Sequence, residues 1–275
     1  PKPQPGNRTR SASENPARTN PRARRQPRPA ASNPPLPNDR TLPMTFDDNM
    51  LPTIDDPAVS LVRDERGLAL AGEGMELRCD LAGMLPRIKP GRLSHELLVR
   101  AARVKGVDQP RAIDATAGFG EDALLLAAAG FHVQLFEHDP VIAALLADGL
   151  ARAAADPQLS PIVARMRLTS GDSVQTLAAR ASMDVAKPDV VYLDPMFPAR
   201  QKSAAVKKKF QLLHHLEAPC TDEEGLLRAA IACGPRKVVI KRPAKGPYLA
   251  GIKPSYSIDG KAVRYDCIVP ASMKL

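Results

Sequence analysis

The chain has 275 residues, of which 44% are hydrophobic and only 4% aromatic, with no Trp. That length suits one medium catalytic domain with an appendage, and the composition calls for an aliphatic core, which runs such as Ala123–Ala129 and Val141–Leu146 supply. The formal net charge is +9, but the first forty residues hold nine Lys/Arg against Glu14 and Asp39 and so carry +7 of it, which removes whole-chain charge as an argument about partners. Cys79, Cys220, Cys233 and Cys267 stand far apart with no CxxC pair, giving no support to a zinc or redox motif and pointing to free thiols in a reducing, cytoplasmic setting. No apolar stretch is long enough for a membrane span and no signal-peptide core is present.

Residues 1–42 open with ten prolines in the first forty positions and almost no apolar side chains, which predicts a disordered tail. It reads either as a basic arm for nucleic-acid phosphates or as a dispensable extension. Residues 43–90 read as a small β-rich subdomain. Its strands Ala58–Val62, Leu68–Ala71 and Met75–Leu81 are separated by the turn formers Asp64-Glu65-Arg66-Gly67 and Gly72-Glu73-Gly74. Residues 91–275 then form the main domain. It begins with a predicted helix over Gly91–Lys105 that presents Leu93, Leu97, Leu98 and Ala101 on one face.

From Arg111 strands and helices alternate. Arg111–Ala115 is a strand, Glu121–Ala129 a helix closed by Gly130, and Val133–Glu137 a second strand. Asp139-Pro140 starts a helix with Asp as N-cap and Pro at N1. Arg165–Thr169, Val190–Leu193 and Lys237–Lys241 are further strands, and Ile258-Asp259-Gly260-Lys261 is a hairpin turn within Tyr256–Val269. This order predicts an α/β, Rossmann-like fold: a mostly parallel sheet with an antiparallel edge.

Asp114-Ala115-Thr116-Ala117-Gly118-Phe119-Gly120-Glu121-Asp122 links the first strand of that series to its helix. Gly118 and Gly120 allow a sharp turn and close approach to a ligand. The spacing also fits a dinucleotide fingerprint. Glu121 and Asp122 would repel a pyrophosphate at the helix entrance, whereas a sulfonium with an amino-acid tail meets no such objection. Asp114 likewise suits an ammonium group. These features favour S-adenosylmethionine over NAD. Glu137 ends the second strand 19 residues after Gly118, where a carboxylate can accept both ribose hydroxyls of either cofactor. His138 either borders the adenine or is simply exposed. Asp172-Ser173, after the third strand, can reach an adenine amine.

Val190-Val191-Tyr192-Leu193-Asp194-Pro195-Met196-Phe197-Pro198 is a hydrophobic strand ending in an acceptor, a proline and an aromatic. The lone pair of a base's exocyclic amine is delocalised into the ring. Two acceptors on its hydrogens, the Asp194 carboxylate and the Pro195 carbonyl, would draw the nitrogen towards tetrahedral geometry. Phe197 can stack on a flipped base, typically worth about 1–3 kcal/mol. The prolines stiffen the loop. Displacement at a sulfonium needs alignment more than a strong base, so the lack of a Ser/His/Asp set is no objection. Arg200, Lys202, Lys207, Lys208 and Lys209 follow, and Lys241 and Arg242 end a later strand; these are candidate phosphate contacts, with a solvated helix face as the alternative for 207–209.

Through the stretch Asp114–Asp122, PVIAALLADGL at 140–150, VVYLDPMFP at 190–198, QKSAAVKK at 201–208 and KVVIKRP at 237–243, the chain resembles the bacterial small-subunit ribosomal RNA guanine-N2 methyltransferase J family. The resemblance spans roughly 56–270. It implies methyl transfer from S-adenosylmethionine to N2 of one guanine in 16S rRNA, on naked rRNA or the assembled subunit, with no metal and no membrane. It also implies cofactor contacts at Glu121, Asp122, Glu137, His138, Asp172, Ser173 and Asp194. Loops of this type also serve adenine N6 in DNA and protein glutamine, and an NAD-dependent oxidoreductase and a non-catalytic RNA-binding protein stay open as further readings.

Overall fold

The computed structural model describes Pro1, residues 51–195, 212, 213, 215, 216 and 222–270. The tail, Met196 to Gln211 and Cys220 lie outside these residues, and with them the expectations for tail disorder, Phe197, Arg200, Lys202 and Lys207 to Lys209. Among the described residues no helix is long and apolar enough to cross a membrane.

Three strands, β1 (Val59–Asp64), β2 (Gly67–Gly72) and β3 (Met75–Leu77), form an antiparallel sheet in that order. Gly72 pairs with Met75, so Glu73 and Gly74 make a two-residue loop, and both have positive φ (51° and 71°) as the turn favoured by strand twist requires. β3 stops at Leu77, short of the expected Leu81. The Arg78 guanidinium turns back to Asp64 at 2.9 Å, to Glu76 at 3.0 Å and to the Gly67 carbonyl, ending the ladder.

The helix expected over Gly91–Lys105 is broken. The structure has α1 (Leu85–Ile88), α2 (Pro90–Leu93) and α3 (Leu97–Ala102), with Glu96 extended between the last two. A two-pronged pair explains the break: Arg87 donates to the two Glu96 carboxylate oxygens at 2.9 and 2.7 Å, fixing the residue at the interruption.

The main sheet contains β4 (Arg111–Asp114), β5 (His132–Glu137), β6 (Met166–Ser170), β7 (Val190–Leu193), β8 (Lys237–Pro243), β9 (Tyr256–Asp259) and β10 (Val263–Ile268). Their spatial order is β6-β5-β4-β7-β8-β10-β9, parallel from β6 to β8 and antiparallel beyond. The hairpin therefore inserts its second strand, β10, against β8 and leaves β9 outermost. Helices α4 (Glu121–Ala128), α5 (Pro140–Ala155), α6 (Ser160–Val163), α7 (Ser173–Ala181) and α8 (Glu223–Ala232) connect the strands.

Both faces of the sheet are buried, as parallel strands require. Ala112, Val133, Leu135, Val190, Tyr192, Val239 and Cys267 join one cluster with α3, α4 and α5, while Ile113, Phe136, Val191, Leu193, Val238 and Ile240 join another with α7 and α8. The alternation along β7 places Tyr192 on the α4 side. The small β1–β3 sheet rests on α5: Arg63 pairs with Asp148 at 2.8 Å, and Gly149 leaves room for Cys79.

Candidate active site

The strand order reverses between β4 and β7, and the loops that leave their carboxyl ends part there, the place where open α/β sheets bind ligands. Residues 115–120 leave β4 and residues 194–195 leave β7. The two loops are joined by backbone and side chain. The Ala115 N–H donates to the Tyr192 carbonyl at 3.1 Å, and the Asp194 N–H donates to Thr116 Oγ1 at 2.7 Å.

Gly118 and Gly120 both have positive φ, 52° and 71°. They do different things. A Cβ on Gly120 would lie 2.8 Å from Leu146 Cδ1, so this glycine lets the turn sit on α5. A Cβ on Gly118 would meet no atom within 4 Å, so the backbone there borders open space. The Gly118 N–H donates at 2.7 Å to Glu137 Oε2, and the Asp139 N–H donates at 2.9 Å to Oε1. Glu137 is thus fixed at the end of β5. Burial pushes its carboxyl above the usual range, and these two N–H groups pull it back. Asp139 caps α5 as expected, accepting from Val141 and Ile142.

Asp114 ends β4 at 1% exposure and accepts from the Thr116 N–H at 3.1 Å. Burial holds its carboxyl well above the ordinary value, and Asp122, Asp194 and Glu137 add to the effect. Asp172 caps α7, accepting from the Val174 N–H at 2.8 Å, with Ser173 buried beside it. Glu121 and His138 are exposed at the same end of the sheet.

The centre of the site is a chain of charged and polar groups. Lys241 Nζ, on β8, lies 2.7 Å from Asp122 Oδ2 on α4 and 2.8 Å from Asp194 Oδ2 after β7. The buried Tyr192 hydroxyl donates to the same Asp122 oxygen at 2.6 Å. Burial raises the Asp194 carboxyl above its ordinary value while Lys241 draws it down. Burial works against the Lys241 ammonium, yet Asp122 and Asp194 outweigh it and keep the group protonated.

The structure brings together Asp114, Gly118, Gly120, Glu137, Asp172, Ser173, Asp194 and Pro195 at one sheet edge. It gives Asp122 a partner in Lys241, and it turns Lys241 inward between two carboxylates. Arg242 is 1% exposed and donates through Nε to the Pro247 carbonyl at 2.8 Å, so it is packed inside the fold and not presented to solvent phosphates. Thr116 and Tyr192 join the site without having been expected there. The signal for Tyr192 is a hydroxyl within the otherwise aliphatic Val190-Val191-Tyr192-Leu193.

These residues fit S-adenosylmethionine. The open space at Gly118 would admit the ligand beside the backbone, the pinned Glu137 carboxylate would accept ribose hydroxyls and the Asp114 carboxyl would face an ammonium, a shape and set of acceptors that suit it.

Residues 49–270 match the family model described as a putative SAM-dependent methyltransferase. A curated relative from Pseudomonas aeruginosa (strain UCBPP-PA14), named ribosomal RNA small subunit methyltransferase J, is 48% identical over 180 residues, 66% of this chain and 68% of its own. One of the same name from Pseudomonas fluorescens (strain Pf0-1) is 40% identical over 232 residues, 82% of this chain and 88% of its own. The crystal structure of a SAM-dependent methyltransferase from Neisseria gonorrhoeae superposes with a TM-score of 0.64 at 30% identity, covering 80% of this chain and 88% of that one. With the sheet order, the glycine turn and the acceptor at the end of β7, these matches place the chain: it belongs to the S-adenosylmethionine-dependent methyltransferases, in the ribosomal RNA small subunit methyltransferase J family.

Proposed function

We propose that this chain is a cytoplasmic enzyme that transfers a methyl group from S-adenosylmethionine to the N2 amine of a guanine in 16S rRNA. The observation that carries the reading is the position of Asp194, tied through its N–H to Thr116 in the glycine turn and with its side chain 34% exposed. When bound, the cofactor supplies a methyl group on a sulfonium, a good leaving group.

The chain's own residues do the rest. Asp114 receives the ammonium, Glu137 the ribose hydroxyls, and Asp172 and Ser173 the adenine edge, with Glu121 and His138 at the rim. Gly118 and Gly120 let the backbone come close. The Asp194 carboxylate and the Pro195 carbonyl accept the amine hydrogens and aim the nitrogen lone pair, and the proton the nitrogen gives up passes to Asp194 or to water. Phe197 stacks on the flipped guanine. Arg200, Lys202 and Lys207 contact phosphates. Exposed Lys89, Arg92, Lys245 and Lys261 add positive charge at the same sheet end, because Leu97 at the start of α3 lies against Gly260 and the Ala244 N–H bonds the Ala262 carbonyl at 3.0 Å.

Incubating the purified protein with labelled S-adenosylmethionine and, separately, 16S rRNA, small subunits, DNA and protein tests the substrate. Nucleoside analysis should find N2-methylguanosine from the rRNA or the subunit. Asp194→Asn should lower kcat by at least about 10²-fold, as loss of alignment does. Label in DNA adenine or protein glutamine, or an undiminished Asp194→Asn enzyme, would overturn the reading.

A further inference from the structure

Lys241, a candidate for phosphate by its place at a strand end, has its ammonium spanned by two carboxylates, 2.7 Å from Asp122 and 2.8 Å from Asp194. Among the described residues, the ionic and hydroxyl contacts use one oxygen of each carboxylate, Oδ2. Asp194 Oδ2 takes Lys241, which leaves Oδ1 to accept a hydrogen. At the other end Asp122 is itself fixed by the Tyr192 hydroxyl at 2.6 Å, a buried donor with no freedom to swing away. The chain Tyr192–Asp122–Lys241–Asp194 therefore runs from the sheet interior to the partly exposed acceptor. It crosses β7, α4 and β8, elements held by the core. We propose that Lys241 is the positioning residue of the site: it keeps Asp194 ionised and locks its carboxylate so that one oxygen is presented to the substrate amine.

The charge environment makes the consequence specific. Facing Asp194 are Asp114 from β4, Asp122 from α4, Tyr192 from β7, Lys241 and Arg242 from β8, and Tyr265 from β10, with Arg87 from α1 facing Asp122 and Tyr265. Burial and the neighbouring acids favour the protonated Asp194, and the Lys241 cation opposes them. A protonated carboxyl has lost the anionic acceptor that the reaction needs. Without the lysine, Asp194 should hold its proton to higher pH.

The inference rests on the role given to Asp194, and the experiment separates the two. In cofactor-free protein, the Asp194 carboxyl is titrated by carbon-13 NMR in the wild type, Lys241→Met and Lys241→Arg, with Asp194→Asn identifying the resonance. Lys241→Met should titrate at higher pH than the wild type, and Lys241→Arg close to it. With cofactor and rRNA, the acid limb of kcat/KM should move up in pH in Lys241→Met, kcat should fall on the order of 10²-fold, and KM for rRNA should change little. Lys241→Arg should restore most of kcat. Lys241→Gln keeps a donor and removes the charge, so it decides the titration if the Met variant does not fold. An unmoved Asp194 titration in the uncharged variant overturns the inference, as does a loss confined to KM for rRNA, which would return Lys241 to phosphate binding. If instead Asp194→Asn is fully active while the titration moves as expected, the role given to Asp194 fails and the electrostatic coupling stands.

Discussion

Asp114 is buried to 1% exposure, an environment that resists its charge, and the Thr116 N–H at 3.1 Å from one oxygen offsets only part of that. Burial raises its carboxyl well above the ordinary value. A raised carboxyl binds its proton more tightly in the folded chain than in the unfolded one. Its contribution to stability is therefore fully present below about pH 4, the unfolded value, and is lost as pH rises from there through the folded value. Asn has the same shape, can accept from Thr116 and does not titrate. Asp114→Asn should melt at increasingly higher temperature than the wild type as pH rises from 4 to 8, with the difference absent below pH 4, by calorimetry without cofactor. On the proposed function the same variant should also bind S-adenosylhomocysteine more weakly, because the carboxyl that would become the ammonium's counter-ion is gone. Weaker binding together with a higher melting temperature would mark Asp114 as a residue unfavourable to the fold and kept for its ligand, a common trade at functional sites.

Among the elements, α5 shows how the small sheet is attached. Gly149 lies mid-helix, where glycine costs roughly 1 kcal/mol against alanine. A Cβ there would approach Cys79, coming 2.8 Å from its Cβ and 3.1 Å from its carbonyl oxygen. The Arg152 guanidinium also donates to the Cys79 carbonyl at 2.5 Å, which fixes the segment after β3 against the helix. Gly149→Ala should therefore destabilise by about 1–3 kcal/mol despite the better helix former, because overpacking outweighs propensity; urea unfolding measures it. A variant more stable than the wild type would mean the packing there is loose. On the other side of the site, Arg264 anchors the loop after β8, donating to the Pro243, Ala244 and Gly246 carbonyls at 3.0, 3.1 and 2.9 Å and pairing with Asp266 at 2.9 Å. The anchored loop begins two residues after Lys241.

At the scale of the molecule, the sheet end that holds the acidic cluster also carries exposed Lys245 after β8 and Lys261 in the β9–β10 turn, and exposed Lys89 and Arg92 lie on the segment leading to Leu97, which meets that turn at Gly260. On the proposed function the acids serve cofactor and base, and the cations around them a polyanion. Reversing charge at the rim with Lys89→Glu and Arg92→Glu should weaken rRNA binding across sequences. The slope of log affinity against log salt should also fall by about 1 for each phosphate no longer neutralised. Filter binding over a salt series reads this out, with the melting temperature as control. An unchanged slope would remove α2 from the RNA path.

The strand and helix alternation, the glycine turn, the cap at Asp139 and the acceptor at the end of β7 are all legible in the amino-acid order. Local periodicity and motifs a few residues long set them. The break at Glu96 is not legible there, because the Arg87 side chain that holds it joins two segments no hydrophobic pattern links. Nor is the work of Lys241, whose partners Asp122 and Asp194 are 119 and 47 residues away. Charge at a strand end looks the same in sequence whether it faces water or a carboxylate. Only the packing of β7, β8 and α4 decides which.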